Sequence, residues 1–210
     1  MFTGIISAVG HIQSAVDQAD GLRLTISTPP GFLEDVAMGD SIAIQGACMT
    51  ATQFIGDAFV LDISRESLNK TVGLDGVGPV NLEKAMRLSD RLGGHLVSGH
   101  VDGVGTVRFF SAVDHDPNGS WLLSIEASKG LAPFLAYKGS IVVNGVSLTV
   151  NRVDDGDGPS ASCVFHINLI PHTLQNTTLG KLQVGTAVNL EVDLIARYVA
   201  RMLEIKTGLT

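Results

Sequence analysis

Hydrophobic positions along most of this chain recur at every second residue, the period of a strand with one buried face, and the runs are short. Alternation over residues 1 to 12, with Gly4 and Gly10 as points of close backbone approach, predicts a first strand. Leu22 to Ser27 predicts a second, stopped by Thr28-Pro29-Pro30-Gly31. The pattern then predicts a short helix over Phe32 to Val36 and strands over Ser41 to Gln45, Ala47 to Phe54 and Ala58 to Ile63. A polar helix or turn follows at Arg65 to Lys70, then a loop from Gly73 to Pro79 and a strand from Val80 to Glu83. Short strands broken by Gly, Pro and Asp every ~8 to 12 residues mark an antiparallel barrel.

The chain then says the same thing again. Gly99 to Gly105 echoes Gly4 to Gly10, Trp121 to Ser128 parallels Leu22 to Ser27, and Ala132 to Ala136 parallels the first short helix. KGSIVVNGVSLTV (138 to 150) copies GDSIAIQGACMTA (39 to 51), Thr173 to Thr177 echoes Ser67 to Thr71, and Val188-Asn189-Leu190-Glu191 repeats Val80-Asn81-Leu82-Glu83. These matches, in one order, predict a duplicated and fused unit. The expected division is a barrel over 1–88, a connector over 89–98, a second barrel over 99–190 and a terminal helix over 191–206. That helix carries Leu194, Ile195, Tyr198, Val199, Met202 and Leu203 at helical spacing and is stopped at Thr207-Gly208. It has no copy in the first half, so its apolar stripe needs cover, either from its own barrel or from another chain.

Composition narrows the function classes. The 210 residues carry a net charge of −7 with scattered basic residues, which argues against nucleic acid and anionic membrane as partners. No apolar run reaches the ~18 residues of a membrane span, and no secretory leader opens the chain, so a cytoplasmic protein is expected. Two cysteines, Cys48 and Cys163, give no structural disulfide in such a compartment. With no CxxC or HExxH, a zinc site would have to be assembled from Cys48, His95 and His100.

One position in the duplicated strand changes chemistry while keeping its shape: Cys48 stands where Ser147 stands, and Thr50 and Thr149 share their faces. The segments MFTGII, GDSIAIQGACMT, ESLNKT, VNLEKA, DRLGGHLVSGHVDG, KGSIVVNGVSLTV, LIPHTLQNTTLG and VNLEVDLIARYV resemble those of the riboflavin synthase family, from Met1 to about Met202. The resemblance implies an all-β fold of two tandem six-stranded Greek-key barrels, related to flavin-reductase barrels, with a C-terminal helix that holds a homotrimer together. It implies dismutation of two molecules of 6,7-dimethyl-8-ribityllumazine, by transfer of a four-carbon unit, into riboflavin and 5-amino-6-ribitylaminouracil. Neither cofactor nor metal is implied. Two like ligands suit two like pockets, and the resemblance implies a site where the first barrel of one subunit faces the second barrel of a neighbour, one pocket holding the donor and the other the acceptor.

Carried onto this sequence, the resemblance gives the first pocket Gly4, Ile5, Ile6, Cys48, Met49, Thr50 and the run Asp62, Ile63, Ser64, Arg65, Glu66, Ser67. It gives the second pocket Gly99, His100, Val101, Lys138, Ser147, Leu148, Thr149 and the run Asn168, Leu169, Ile170, Pro171, His172, Thr173. Ser147 and Thr149 are the expected central pair and His100 the relay, because imidazole titrates near neutrality. Cys48 is a small contact residue or a thiolate, Asp193 orients a proton acceptor or caps the helix, and Glu66 binds ribityl hydroxyls or is a solvated turn carboxylate. His95 reads as structural, and a polyol contact by His172 is open. Since only the second set holds His100, the second barrel is expected to deprotonate the methyl group at ring position 7.

Two rival readings remain. A non-catalytic lumazine- or flavin-binding antenna protein shares the duplicated barrel. A serine hydrolase built on Ser147, His100 and Asp193 lacks the GxSxG elbow, since GVSLT runs on into a strand.

Overall fold

The computed structural model describes residues 1–156 and 162–207. Each half folds into one antiparallel unit, of six strands in the second half and seven in the first. In the second half these are β8 (Gly103–Ala112), β9 (Trp121–Ala127), β10 (Ser140–Val143), β11 (Val146–Asp155), β12 (Cys163–Leu169) and β13 (Ala187–Val192). They close a barrel in the order β10-β11-β12-β9-β8-β13, entirely antiparallel. Taken along the chain, the neighbours run first, second, fifth, fourth, third, sixth, which is Greek-key order.

The first half has the same order with one interruption. Its strands are β1 (Ala8–Gln18), β2 (Gly21–Ser27), β3 (Ser41–Ile44), β4 (Ala47–Thr50), β5 (Gln53–Ile55), β6 (Ala58–Ser64) and β7 (Gly78–Lys84). The sheet runs β4-β3-β7-β1-β2-β6-β5, so β4 and β5 sit at its two ends and are joined through Ala51 and Thr52. The single strand predicted over Ala47 to Phe54 is therefore broken. At Thr52 both the amide and the hydroxyl donate to the Val60 carbonyl, at 2.8 and 3.0 Å. The second half bends at the corresponding place with a bulge between Val150 and Arg152 and keeps β11 whole.

Three further expectations change. Residues 1 to 7 are not the start of β1; apart from an antiparallel bridge between Phe2 and Val97 they form an irregular segment that leaves the first barrel. Phe32 to Val36 forms turns, and the segment paired with it by repeat forms a 3-10 helix at Lys129–Phe134. The terminal helix, α3, runs Leu194–Thr207 behind Asp193, whose carboxylate accepts the Ile195 amide at 2.8 Å. Gly208, the expected stop, lies outside the described residues.

Alternation puts one apolar core inside each barrel, around Ile26, Leu61 and Leu82 in the first and around Ile125, Phe165 and Leu190 in the second. Between them a local two-fold relation holds the halves together. The β3–β4 and β10–β11 turns take positive φ at both central residues, Gln45–Gly46 (50° and 86°) and Asn144–Gly145 (48° and 86°), as a type I′ hairpin demands. The turn tips meet back to back: a Cβ on Gly46 would lie 2.8 Å from the Gly145 nitrogen, and one on Gly145 would lie 3.0 Å from that of Gly46.

Buried amides complete the joint. Asn81 Nδ2 donates to the Asn144 carbonyl at 2.8 Å, and Asn189 Nδ2 donates to the Gln45 carbonyl at 3.0 Å. The Asn81 side-chain oxygen accepts from the Thr178 amide at 2.7 Å and that of Asn189 from the Val72 amide at 2.8 Å. Phe2, Ala43, Val97 and Val142 form a small apolar cluster between the barrels. Both asparagines are about 1% exposed, so every unmade bond here carries the full desolvation cost.

Candidate functional site

The duplicated strands β4 and β11 present the expected side chains: Cys48 and Met49, Ser147 and Leu148 are half-buried, while Thr50 and Thr149 are exposed. What lies across from them is exchanged between the halves. The Cys48 amide donates to the Gly99 carbonyl and the Ser147 amide to the Gly4 carbonyl, both at 2.8 Å. Ile6 packs on the second core and Val101 on the first. The grouping expected from sequence is thus corrected: Gly99, His100 and Val101 belong with Cys48, and Gly4, Ile5 and Ile6 with Ser147. Each barrel contributes its leading segment to the other, as the fused two-fold arrangement allows.

Contact at these crossings is close. Gly4 and Gly99 hold φ of 76° and 78°; a Cβ there would lie 2.5 Å from Ser147 Cβ and 2.7 Å from Cys48 Cβ. Only glycine meets both conditions, left-handed backbone and absent side chain.

On the first barrel the result is an open cleft of about 360 Å³ between Cys48, Met49, His100 and Val101 on one side and Glu66, Ser67, Lys70 and Thr71 on the other. The polar wall is α1 (Arg65–Lys70), started by Ser64, whose hydroxyl accepts the Ser67 amide at 3.2 Å. Glu66 is drawn to Lys70 at 3.1 Å, one helical turn away. Arg65 lies on the outer side, 3.8 Å from Asp17, and Asp62 is gripped by Arg23 through two bonds of 2.8 and 2.9 Å. Arg23 holds the Asp62 carboxyl below its ordinary range. Ile63 turns its side chain into the core, as does Leu169 in the second barrel, so only backbone atoms of these two are left to a ligand.

On the second barrel the connector lies against Ser147. A Cβ on Gly94 would come 2.1 Å from the Thr3 carbonyl and 2.9 Å from Ser147 Oγ. The next residue, His95, places Nδ1 2.7 Å from Ser147 Oγ. Its other nitrogen, Nε2, is buried without a protein hydrogen-bond partner. Burial pushes the His95 pKa below its ordinary 6.5, while the negative charge of Asp193 pulls the other way. Asp193 therefore both caps α3 and acts on this imidazole. His95, read from sequence as structural, is the member of the constellation that sequence reasoning missed; the paired glycines before it were the available signal of a tight approach.

The remaining second-barrel positions follow the repeat. Exposed Asn168 and Ile170 lead into α2 (Pro171–Asn176), with Pro171 at its first turn and His172 exposed where Glu66 stands in the first half. Thr173 caps nothing itself, but its carbonyl accepts the Thr177 hydroxyl at 2.7 Å. Lys138 holds its amine 5.2 Å over the Tyr137 ring. Since His95 belongs to one pocket and Cys48 and His100 to the other, the three are not gathered as metal ligands. A larger cleft of about 490 Å³ beside Ile5 and Gly93 contains neither Cys48 nor Ser147, and two of its cations, Lys84 and Arg87, are spent on Asp35 at 2.6 and 2.9 Å.

Paired strands on crossed barrels agree with what the chain is similar to. The lumazine binding domain model matches it twice, over residues 3–85 and 98–193. Riboflavin synthase of Actinobacillus pleuropneumoniae is 40% identical over 205 residues, covering 97% of this chain and 90% of that protein. Riboflavin synthase of Mycobacterium tuberculosis is 41% identical over 208 residues, with 97% and 98% covered. Among solved structures, LumP complexed with riboflavin superposes with a TM-score of 0.78 at 27% identity, over 91% of this chain and 99% of that one. LumP complexed with 6,7-dimethyl-8-(1'-D-ribityl) lumazine gives 0.76 at the same identity and coverage. Two lumazine-binding domains in one polypeptide, closely related along their whole length to these enzymes, place the chain in the riboflavin synthase family.

Proposed function

We propose that this protein is a riboflavin synthase, a transferase that dismutates two molecules of 6,7-dimethyl-8-ribityllumazine into riboflavin and 5-amino-6-ribitylaminouracil. The observation that carries the reading is the doubled lumazine binding domain on one chain, since a reaction between two copies of one molecule needs two similar seats. Holding both rings in register replaces a bimolecular encounter and is worth ~7–11 kcal/mol.

The pockets differ in what each can do. The first is open, with a thiol, an imidazole and a polar helix, and it suits binding of a ring and its polyol. The second joins a hydroxyl to an imidazole kept neutral by burial, so Ser147 Oγ can give its proton to His95 Nδ1 while accepting one from the acidic methyl group. The proton-moving role therefore stays with the second barrel, but His95 replaces His100 in it. In this reading the ring contacts come from β4, β11 and the crossed segments, and the ribityl contacts from α1 and α2. Thr50 and Thr149 add hydroxyls at the pocket mouths, and no cofactor or metal takes part.

Assembly as a homotrimer is part of the same reading. Ile195, Tyr198, Val199, Met202 and Leu203 on α3 are each at least half exposed, so the helix does not find its cover on its own barrel. Burying such a stripe contributes several kcal/mol at ~25 cal/mol per Å². A cytoplasmic setting suits two free cysteines, and no described helix is long and apolar enough to cross a membrane.

The test is direct: purified protein, the lumazine and a chelator, followed by absorbance. One riboflavin formed for every two lumazines consumed is expected. Bound ligand with no conversion would instead assign the antenna role, and absence of binding would overturn both.

A further inference from the structure

The segments that cross between the barrels must be held from behind, because their glycines press on Cys48 and Ser147 with no side chain of their own to anchor them. The structure shows one device used twice. Glu83, on β7 of the first barrel, accepts from the Thr3 amide at 2.7 Å, the Thr3 hydroxyl at 2.7 Å and the Gly4 amide at 2.9 Å. Glu191, on β13 of the second, accepts from the Ser98 amide at 2.7 Å, the Ser98 hydroxyl at 2.7 Å and the Gly99 amide at 2.9 Å. These carboxylates are 5% and 2% exposed, and among the described residues neither forms a salt bridge, so three N–H and O–H donors satisfy each.

Every grip leads across the local axis. The residues that Glu83 holds carry the carbonyl that receives the Ser147 amide, and those that Glu191 holds carry the one that receives the Cys48 amide. Immediately beyond stand Ile5 and His100, both exposed, His100 at the wall of the first-barrel cleft and Ile5 beside the larger one. We propose that Glu83 and Glu191 are positioning residues, each fixing from within one barrel the wall of the pocket that belongs to the other. The proposal rests on reading the surroundings of Cys48 and of Ser147 as lumazine sites. Its chemistry is specific: a carboxylate offers acceptors to all three donors, whereas an amide would turn an NH₂ toward one of them. Burial raises the pKa of both carboxyls, and the N–H and O–H donors oppose that rise.

The experiment compares E83Q with E191Q by iodoacetamide labelling of ligand-free protein, read peptide by peptide. Cys163, 1% exposed, reports any general unfolding in the same sample. The expected result is crossed. E191Q, in the second barrel, speeds labelling of Cys48 in the first about tenfold while Cys163 stays protected, and E83Q leaves Cys48 within about twofold. Conversely, E83Q moves the His95 imidazole resonances in ¹⁵N-histidine spectra and E191Q does not. With lumazine, both variants are expected to raise KM through the pocket opposite the substitution. Equal effects of both variants on Cys48, or an unchanged Cys48 in E191Q, would overturn the proposal. Should E191Q expose Cys163, S98A decides, since it removes one donor only: faster Cys48 labelling sustains the proposal and an unchanged rate sinks it. Failure of the native protein to bind lumazine would defeat the functional reading while leaving the crossed labelling pattern intact.

Discussion

Replacing Ser147 by alanine is the most informative single perturbation of the second pocket. The wild-type hydroxyl sits 2.7 Å from His95 Nδ1, and the opposite ring nitrogen is already buried without a protein partner. In S147A both nitrogens of a half-buried imidazole lack protein partners, in a space where the Gly94 backbone leaves little room for water to substitute. Leaving one such group unpaired costs about 1–3 kcal/mol, and the lower half of that range suits a partly accessible ring. A stability loss of about 1–2 kcal/mol in urea unfolding is expected. Turnover should fall further, by ~100-fold or more, because the relay itself is removed. A double-mutant cycle with H95A separates the bond from the truncation: the two losses should be far from additive, with a coupling of about 1 kcal/mol. If S147A and H95A add simply, and riboflavin formation is unchanged in S147A, the relay reading is wrong.

Other expectations follow from particular contacts. His95 is depressed by burial, so the unfolded chain binds the extra proton first; stability tied to its neutral form is present above 6.5 and lost as pH falls below 6.5 toward the folded value. Urea titrations at several pH values should show that slope, and H95Q should flatten it. Gly94→Ala would drive a Cβ to 2.1 Å from the Thr3 carbonyl, so the connector must lift; a loss of about 1–3 kcal/mol and a rise in KM are expected by unfolding and steady-state assays. Asn189→Ala orphans the Val72 amide and the Gln45 carbonyl across the joint, which should cost about 2–4 kcal/mol in urea unfolding and couple to Asn81→Ala. Removing α3 from Leu194 onward should shift the sedimentation of the protein to that of a monomer; an unchanged assembly would place its contacts elsewhere.

The alternation of Ile, Leu and Val along each half was enough to lay out the barrels, and the VNLE repeats marked equivalent strands. The break at Ala51–Thr52 leaves only a faint trace in the periodicity, a slip of phase from Ala47, Met49 and Ala51 to Phe54; the interruption is imposed by the curvature of a closing sheet. Periodicity could not show the exchange of leading segments. Gly4 and Gly99 announce close approaches, but an equal backbone contact could be made to either barrel, and only packing of Ile6 and Val101 on opposite cores decides between them. His95 was hidden for the same reason: it lies in a stretch with no counterpart to compare, and its partner is 52 positions away. Cys48, Ser147 and Glu66 were legible because each is one half of a pair whose other half differs.

That contrast between matched and mismatched pairs has a consequence for descent. Gly46 with Gly145, Asn81 with Asn189, Glu83 with Glu191 and Gly4 with Gly99 are identical, and all lie where one repeat meets the other. Cys48 against Ser147, Ile5 against His100 and Glu66 against His172 have parted, and these face the clefts. A duplicated gene is usually free to let one copy drift once the other suffices. Here neither copy had that freedom at these four positions of the shared joint, since each is the surface on which its twin is built, whereas the positions that face a ligand rather than a sibling were left to part.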